Sequence, residues 1–271
     1  MTTWTSRAVD RDGVRLHCRD WGGGHGRAVL MLHGLAGSSG EWDAPARALA
    51  AERRVVAVDQ RGHGLSTRRP SDVSRAAYVA DAVAVVAQLG LDRPVLVGQS
   101  LGGHTAMLAA ARHPGLFAGL VLVEAGAGGP VPGVQEEIGG WLDSWPVPFP
   151  SREAAVRFLG GGNDRVGAGW ADGLEERDGG RWPRFDRDVM VGSLAGIARR
   201  SFLDDWRNVS CPTLLVLGQN GILPAREVAD MLALRPGTTA VSVPGTGHDV
   251  HLEHPDALHS LLSGFLGSVE S

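Results

Sequence analysis

The chain predicts an α/β fold in which a mostly parallel sheet carries helices on both faces, and three observations point that way. Short, continuous apolar runs of strand length recur at 28–32, 55–58, 95–97, 120–123 and 213–217, as strands buried on both faces require. Stretches of helical periodicity separate most of them. Glycine-rich turns close several of these runs, including His33-Gly34 and Gly98-Gln99-Ser100-Leu101-Gly102, and in such sheets ligand chemistry belongs at the carboxyl ends of the strands.

In chain order, residues 6–9 and 14–19 read as two antiparallel strands about the turn Asp12-Gly13, since Asp and Gly supply the turn conformations. The glycines of Gly22-Gly23-Gly24-His25-Gly26 read as a flexible linker to the strand at 28–32. A helix is expected from Glu41 to Ala51, then a strand at 55–58. Ser74 is the expected N-cap of a helix that runs to about Leu89 and stops at Gly90. The strand at 95–97 leads through the serine turn into a helix from Leu101 to about His113, which Pro114 ends. A strand at 120–123 closes on Glu124. From Ala125 to Asn208 the alternation lapses into Gly, Pro, Trp and charged residues, so this segment reads as an insertion between two core strands. Its tryptophans either bury a small core of their own or line a pocket over the serine. A strand at 213–217, a helix at 225–234, a strand at 240–243 and a last helix from Pro255 to about Leu266 resume the pattern.

Composition narrows the function. At 271 residues, with 43% hydrophobic and 21% charged residues, the chain fits one large globular domain. Its net charge of -4 provides no field to recruit nucleic acid or an anionic membrane. All the Lys+Arg total is arginine, which excludes the lysine of a phosphate-binding Walker loop and any lysine Schiff base. Cys18 and Cys211 stand far apart in sequence, which reads as a reduced, cytoplasmic protein. The segment Met1 to Arg7 shows no secretory pattern, and no window approaches the roughly 18 apolar residues of a membrane span.

Two residues carry the chemistry. In G-x-S-x-G the flanking glycines, here Gly98 and Gly102, let the backbone turn sharply enough to lift the serine above the sheet. Ser100 is therefore the candidate nucleophile. A serine needs a base to take its proton and a third group to orient that base, and Pro244-Gly245-Thr246-Gly247-His248 sets His248 on a loop after the last strand. His104, His113 and His259 read as helix residues, and His33 and His63 as turn residues. His248, His251 and His254 with Glu253 do not have the ligand spacing of a metal site.

His33-Gly34, then Asp59-Gln60-Arg61-Gly62-His63-Gly64-Leu65-Ser66, then Gly98 to Gly102, then Gly247-His248 form an ordered set that resembles the α/β-hydrolase superfamily. The resemblance covers almost the whole chain. It implies an eight-stranded, mostly parallel sheet with an inserted helical cap, the core being 1–124 and 209–271 and the cap 125–208. It also implies an oxyanion hole from the amides of Leu35 and Leu101, with His33 and the Arg61 region holding loops in place. No metal or organic cofactor is implied.

The acid departs from the family pattern. Most members carry an aspartate three residues past the glycine that follows the strand at 213–217, and here Gly221 stands in that slot. Glu124 is the replacement expected, because neighbouring parallel strands lie about 4.8 Å apart and a glutamate can reach the same histidine from the adjacent one. Zearalenone-type lactone hydrolases are similar in using glutamate there. Asp249 is a weaker candidate, its adjacency to His248 making a bond back to that ring awkward, and Glu227 lies inside the following helix. The expectation is a serine hydrolase with a Ser100-His248-Glu124 triad, acting on a small-molecule ester or lactone. Carbon-carbon bond hydrolysis and a ligand receptor retaining the triad are the alternatives.

Overall fold

The computed structural model describes residues 3–270; Met1 and Thr2, which begin the segment read for a leader, lie outside them. The strands are β1 (Thr5–Arg11), β2 (Val14–Leu32), β3 (Arg53–Val58), β4 (Val95–Gln99), β5 (Gly119–Val123), the short pair β6 (Glu175–Arg177) and β7 (Gly180–Trp182), β8 (Thr213–Gly218) and β9 (Thr239–Val243). The helices are α1 (Asp43–Leu49), α2 (Arg75–Gln88), α3 (Ser100–Arg112), α4 (Val134–Asp143), α5 (Arg152–Gly160), α6 (Asp164–Asp172), α7 (Arg187–Ser193), α8 (Ala195–Arg199), α9 (Leu203–Arg207), α10 (Ala225–Leu234), α11 (Val250–Glu253) and α12 (Pro255–Glu270). Strands and helices alternate through most of the chain, as an α/β fold requires.

One strand differs from expectation. The glycines after Trp21 do not form a slack linker, and extended backbone continues from Val14 to Leu32. Its register against β3 reverses midway. Cys18 lies opposite Val58 and Asp20 opposite Val56, whereas Val29 lies opposite Val55 and Leu32 opposite Val58. The segment therefore folds back and flanks β3 on both sides. The sheet has seven strands as continuous elements among the described residues, and the eight expected are eight passes of the backbone. Beyond β2 the order runs β4, β5, β8, β9, each pair parallel.

Strand periodicity explains why the central runs are apolar at every position. Leu30, Leu32, Val56, Leu96, Leu122 and Leu215 belong to one buried cluster with α2, α3 and Trp206. Their chain neighbours Val29, Met31, Val55, Val97, Val121 and Val216 belong to another, under α1 and α12. Successive side chains point to opposite faces, so both must be hydrophobic, and each fully buried branched side chain contributes about 1.5–3 kcal/mol. Local signals hold at the ends: Ser74 Oγ accepts from the Ala77 amide at the start of α2, and Asp12 and Gly13 turn between β1 and β2 with φ of 49° and 76°.

Between β5 and β8 lie α4 to α9 and the antiparallel β6–β7 pair. Leu142, Trp145, Phe149, Ala155, Leu174, Phe185 and Met190 form a third apolar cluster there, which also takes in Ala36 from the loop after β2. Trp145 is thus a core residue of this segment, and Trp206 is buried against the main sheet. Cys18 and Cys211 are unbridged. No helix among the described residues is long and apolar enough to cross a membrane.

Candidate active site

Strand β4 delivers Ser100 into the first turn of α3 with φ of 49°, a left-handed conformation that costs a non-glycine residue about 1–3 kcal/mol. The glycines around it make the turn possible. A Cβ on Gly98 would lie 2.5 Å from the Gly102 carbonyl oxygen, and one on Gly102 would lie 2.3 Å from the carbonyl oxygens of Leu32 and His33. The helix therefore starts tight against the end of β2.

That β2 end is fixed by side chains the sequence marks. Nε2 of His33 accepts from the Gln60 amide at 3.0 Å, and Gln60 Nε2 donates to the His33 carbonyl at 2.6 Å. Arg61 is clamped on Asp81 at 2.6 and 2.7 Å. Leu35 sits in the turn that follows His33-Gly34, and Leu101 lies in the first turn of α3, where amides have no intrahelical acceptor.

Glu124 follows β5 directly, also left-handed with φ of 47°, and is 1% exposed. Its Oε1 accepts from the Gly218 amide at 2.7 Å and its Oε2 from the Ile222 amide at 2.8 Å. Oε2 stands 3.5 Å from Nδ1 of His248. The imidazole side chain is 28% exposed, and the His248 carbonyl accepts from Gln99 Nε2 at 3.2 Å, tying the histidine loop to the residue before Ser100.

Ser100, His248, Glu124, Leu35 and Leu101, the five residues picked out by sequence, all line one cavity of about 740 Å³. Trp141 and Trp170 line it too, so some of the tryptophans between β5 and β8 border the cavity that holds the serine. The other carboxylates considered are placed differently. Asp249 accepts from Trp170 Nε1 at 3.3 Å, and Glu227 Oε1 accepts from the Gly128 amide at 2.7 Å. His251 turns into the core against the Trp42 ring at 4.8 Å, with Nε2 3.4 Å from Glu41.

Among the lining residues that the sequence reading gives no part in the site are Glu41, Gln99 and His104. The Ser38-x-x-Glu41 spacing is a capping-box signature, and that box is formed. His104 lies four residues past Ser100 on α3, the spacing of one helical face. Gln99 carries no comparable signal. Burial pushes the Glu41 carboxyl up to about 7 and raises Asp249, where the Glu41 charge adds to the effect. Burial likewise drives His251 down to about 4 and raises Glu227.

A parallel sheet with a serine at the strand-to-helix turn, beneath a segment inserted after the next strand, defines a hydrolase class. The chain belongs to the alpha/beta hydrolase family, whose profile matches residues 29–261. It is 33% identical to a mouse sn-1-specific diacylglycerol lipase, over 88% of this chain and 80% of that one. To 2-(acetamidomethylene)succinate hydrolase of Mesorhizobium japonicum it is 27% identical, over 96% of this chain and 95% of that one. A crystal structure of E-2-(acetamidomethylene)succinate hydrolase superposes with a TM-score of 0.86 at 26% identity, covering 97% of this chain and 99% of that one.

Proposed function

We propose that the protein is a serine hydrolase that cleaves a carboxylic ester or lactone through an acyl-enzyme, with Ser100, His248 and Glu124 as its triad. The observation that carries this reading is the convergence of the three on one largely apolar cavity, with the Glu124 carboxylate 3.5 Å from His248 Nδ1. The lipase relative supports ester chemistry.

In this reading Ser100 Oγ attacks the acyl carbon while His248 Nε2 takes its proton. The amides of Leu35 and Leu101 stabilise the oxyanion, each donor being worth ~10²–10³ in rate. Collapse expels the alcohol, which takes the proton from His248. Water then attacks the acyl-enzyme, again giving a proton to His248, and the departing acid leaves Ser100 reprotonated. Glu124 keeps Nδ1–H of the ring directed at itself and stabilises the imidazolium. Its own orientation is set by the Gly218 and Ile222 amides. Residues 1–124 and 209–271 form the catalytic core, and 125–208 act as a cap that shapes the acyl pocket.

Ser100→Ala is expected to abolish both turnover of p-nitrophenyl esters and labelling by a fluorophosphonate probe. Labelling that persists in the variant overturns the assignment.

A further inference from the structure

His104 lies four residues past Ser100 on α3, which places it about 6 Å further along the same helical face. It is 6% exposed and lines the same cavity as the serine. Neither of its ring nitrogens meets a partner among the described residues. Burying an unpaired imidazole is costly, and here its surroundings are built closely around it. The Phe202 ring stands edge-on to it at 4.4 Å. The Phe202 amide donates to the carbonyls of Ala127 and Gly128, and the Gly128 amide donates to Glu227, so these groups form one wall.

The charges on that wall decide what it accepts. Burial, followed by the nearby Arg75, Arg200 and Arg112 guanidiniums, holds His104 well below the usual imidazole range, so it presents one donor and one acceptor. The same charges disfavour an ammonium group there. Arg75 is turned away onto the Leu101 carbonyl and Thr105, and Arg200 lies over the Phe202 ring. The residues lining the cavity include Glu41, Glu124, Glu137, Glu227 and Asp249 but no arginine, so a substrate carboxylate finds no guanidinium in the cavity wall to pair with and meets other carboxyl groups instead. An uncharged polar group satisfies both conditions.

We propose that His104 selects the acyl part of the substrate by pairing with an uncharged group that both donates and accepts a hydrogen bond, an amide or a hydroxyl, about 6 Å from the serine along the helix. The identity of the reacting end rests on the hydrolase reading above.

The test compares kcat/KM for p-nitrophenyl esters of hexanoate, N-acetyl-β-alanine, 6-hydroxyhexanoate and adipate. The amide ester, the hydroxyl ester or both are expected to exceed hexanoate by about tenfold or more, because a site built for hydrogen bonding rejects the analogue that lacks them. Whichever gains more identifies the group, and the adipate ester is expected to be the slowest. In His104→Phe the polar-to-hexanoate ratio should fall to about 1, and in His104→Gln, which keeps a donor and an acceptor, part of it should return. A wild-type ratio near unity, an adipate preference, or a ratio unchanged in His104→Phe overturns the proposal, and the first two need no variant. If wild type hydrolyses no ester and resists the fluorophosphonate, the hydrolase reading has failed. Quenching of tryptophan fluorescence by N-acetyl-β-alanine methyl ester against methyl hexanoate then decides the His104 claim. Tighter binding of the amide ligand to wild type but not to His104→Phe supports it, and equal binding overturns it.

Discussion

Glu124 and Gly221 compete for one space: a Cβ built on Gly221 would lie 2.2 Å from Oε1 and 2.3 Å from Oε2 of Glu124. Residue 221 is the slot in which the resemblance leads one to expect the acid, and by this geometry a side chain there and the Glu124 carboxylate exclude each other. Gly221→Ala should therefore push Glu124 off the Gly218 and Ile222 amides and lower kcat by about 10²-fold, the scale of a misplaced catalytic group. The pair Glu124→Ala with Gly221→Asp should recover more activity than either single change, as measured by kcat on one p-nitrophenyl ester. If Gly221→Ala is as active as wild type, the carboxylate's position does not matter to the reaction.

The choice of acid is tested by comparing Glu124→Gln with Glu227→Gln. An amide at 124 offers the imidazole Nδ1–H no anionic acceptor and favours the wrong tautomer, which in serine enzymes costs about 10⁴ in kcat. Glu227 bonds to the Gly128 amide, so its loss should act on the pocket wall and be the smaller of the two. A larger loss at 227 reverses the assignment.

Much of this was legible in the sequence because the governing interactions are local or strictly periodic. The central strands declare themselves since both faces are covered, and Ser74 and the Asp12-Gly13 turn act within a few residues of themselves. The fold-back in β2 was not legible. Glycines permit slack or close approach equally, and only the structure shows that a Cβ on Gly23 would fall 1.9 Å from the Arg53 carbonyl oxygen. The helices between β5 and β8 are too short to display a clear period, at 5 to 10 residues each. Ser100 and His248 announce themselves by glycine-framed motifs. His104 does not, because what makes it unusual is the arrival of Phe202 and Gly128 from distant parts of the chain.

The turn under Ser100 yields a prediction about stability. Gly102→Ala places a methyl group 2.3 Å from two backbone carbonyl oxygens, and neither can yield without moving the end of β2. A loss of about 2 kcal/mol or more is expected from such overpacking, a fall of several degrees in Tm for a chain of this size. Gly264→Ala is the contrast. It lies in α12 with nothing within 4 Å of its Cβ position, and replacing glycine in a helix should stabilise by about 0.5–1 kcal/mol. Equal Tm values for the two variants would contradict the packing argument.

Glu41 gives the pH dependence of stability a defined sign. Its carboxyl is buried at 5% exposure, and burial raises it from the ordinary 4.5 to about 7. Between those values the folded protein keeps a proton that the unfolded chain releases, so stability falls as pH rises. The contribution is fully present below about pH 4.5 and gone above about pH 7. The shift of 7 minus 4.5 corresponds to about 3 kcal/mol at 1.36 kcal/mol per pH unit. Glu41→Gln stays neutral and can still accept from the Ser38 amide, which now donates to Glu41 Oε1 at 3.1 Å. The variant should match wild type near pH 4.5 and exceed it at pH 8 by up to about 3 kcal/mol. His251, lowered from 6.5 to about 4, acts in the opposite direction; its Nε2 stands 3.4 Å from Glu41 and the Glu41 charge raises Asp249, so the difference between the proteins reports Glu41 together with these two neighbours. Urea denaturation at intervals from pH 4.5 to 8 measures that difference, and two curves that stay parallel would show that the Glu41 carboxyl ionises in the folded protein as readily as in the unfolded chain.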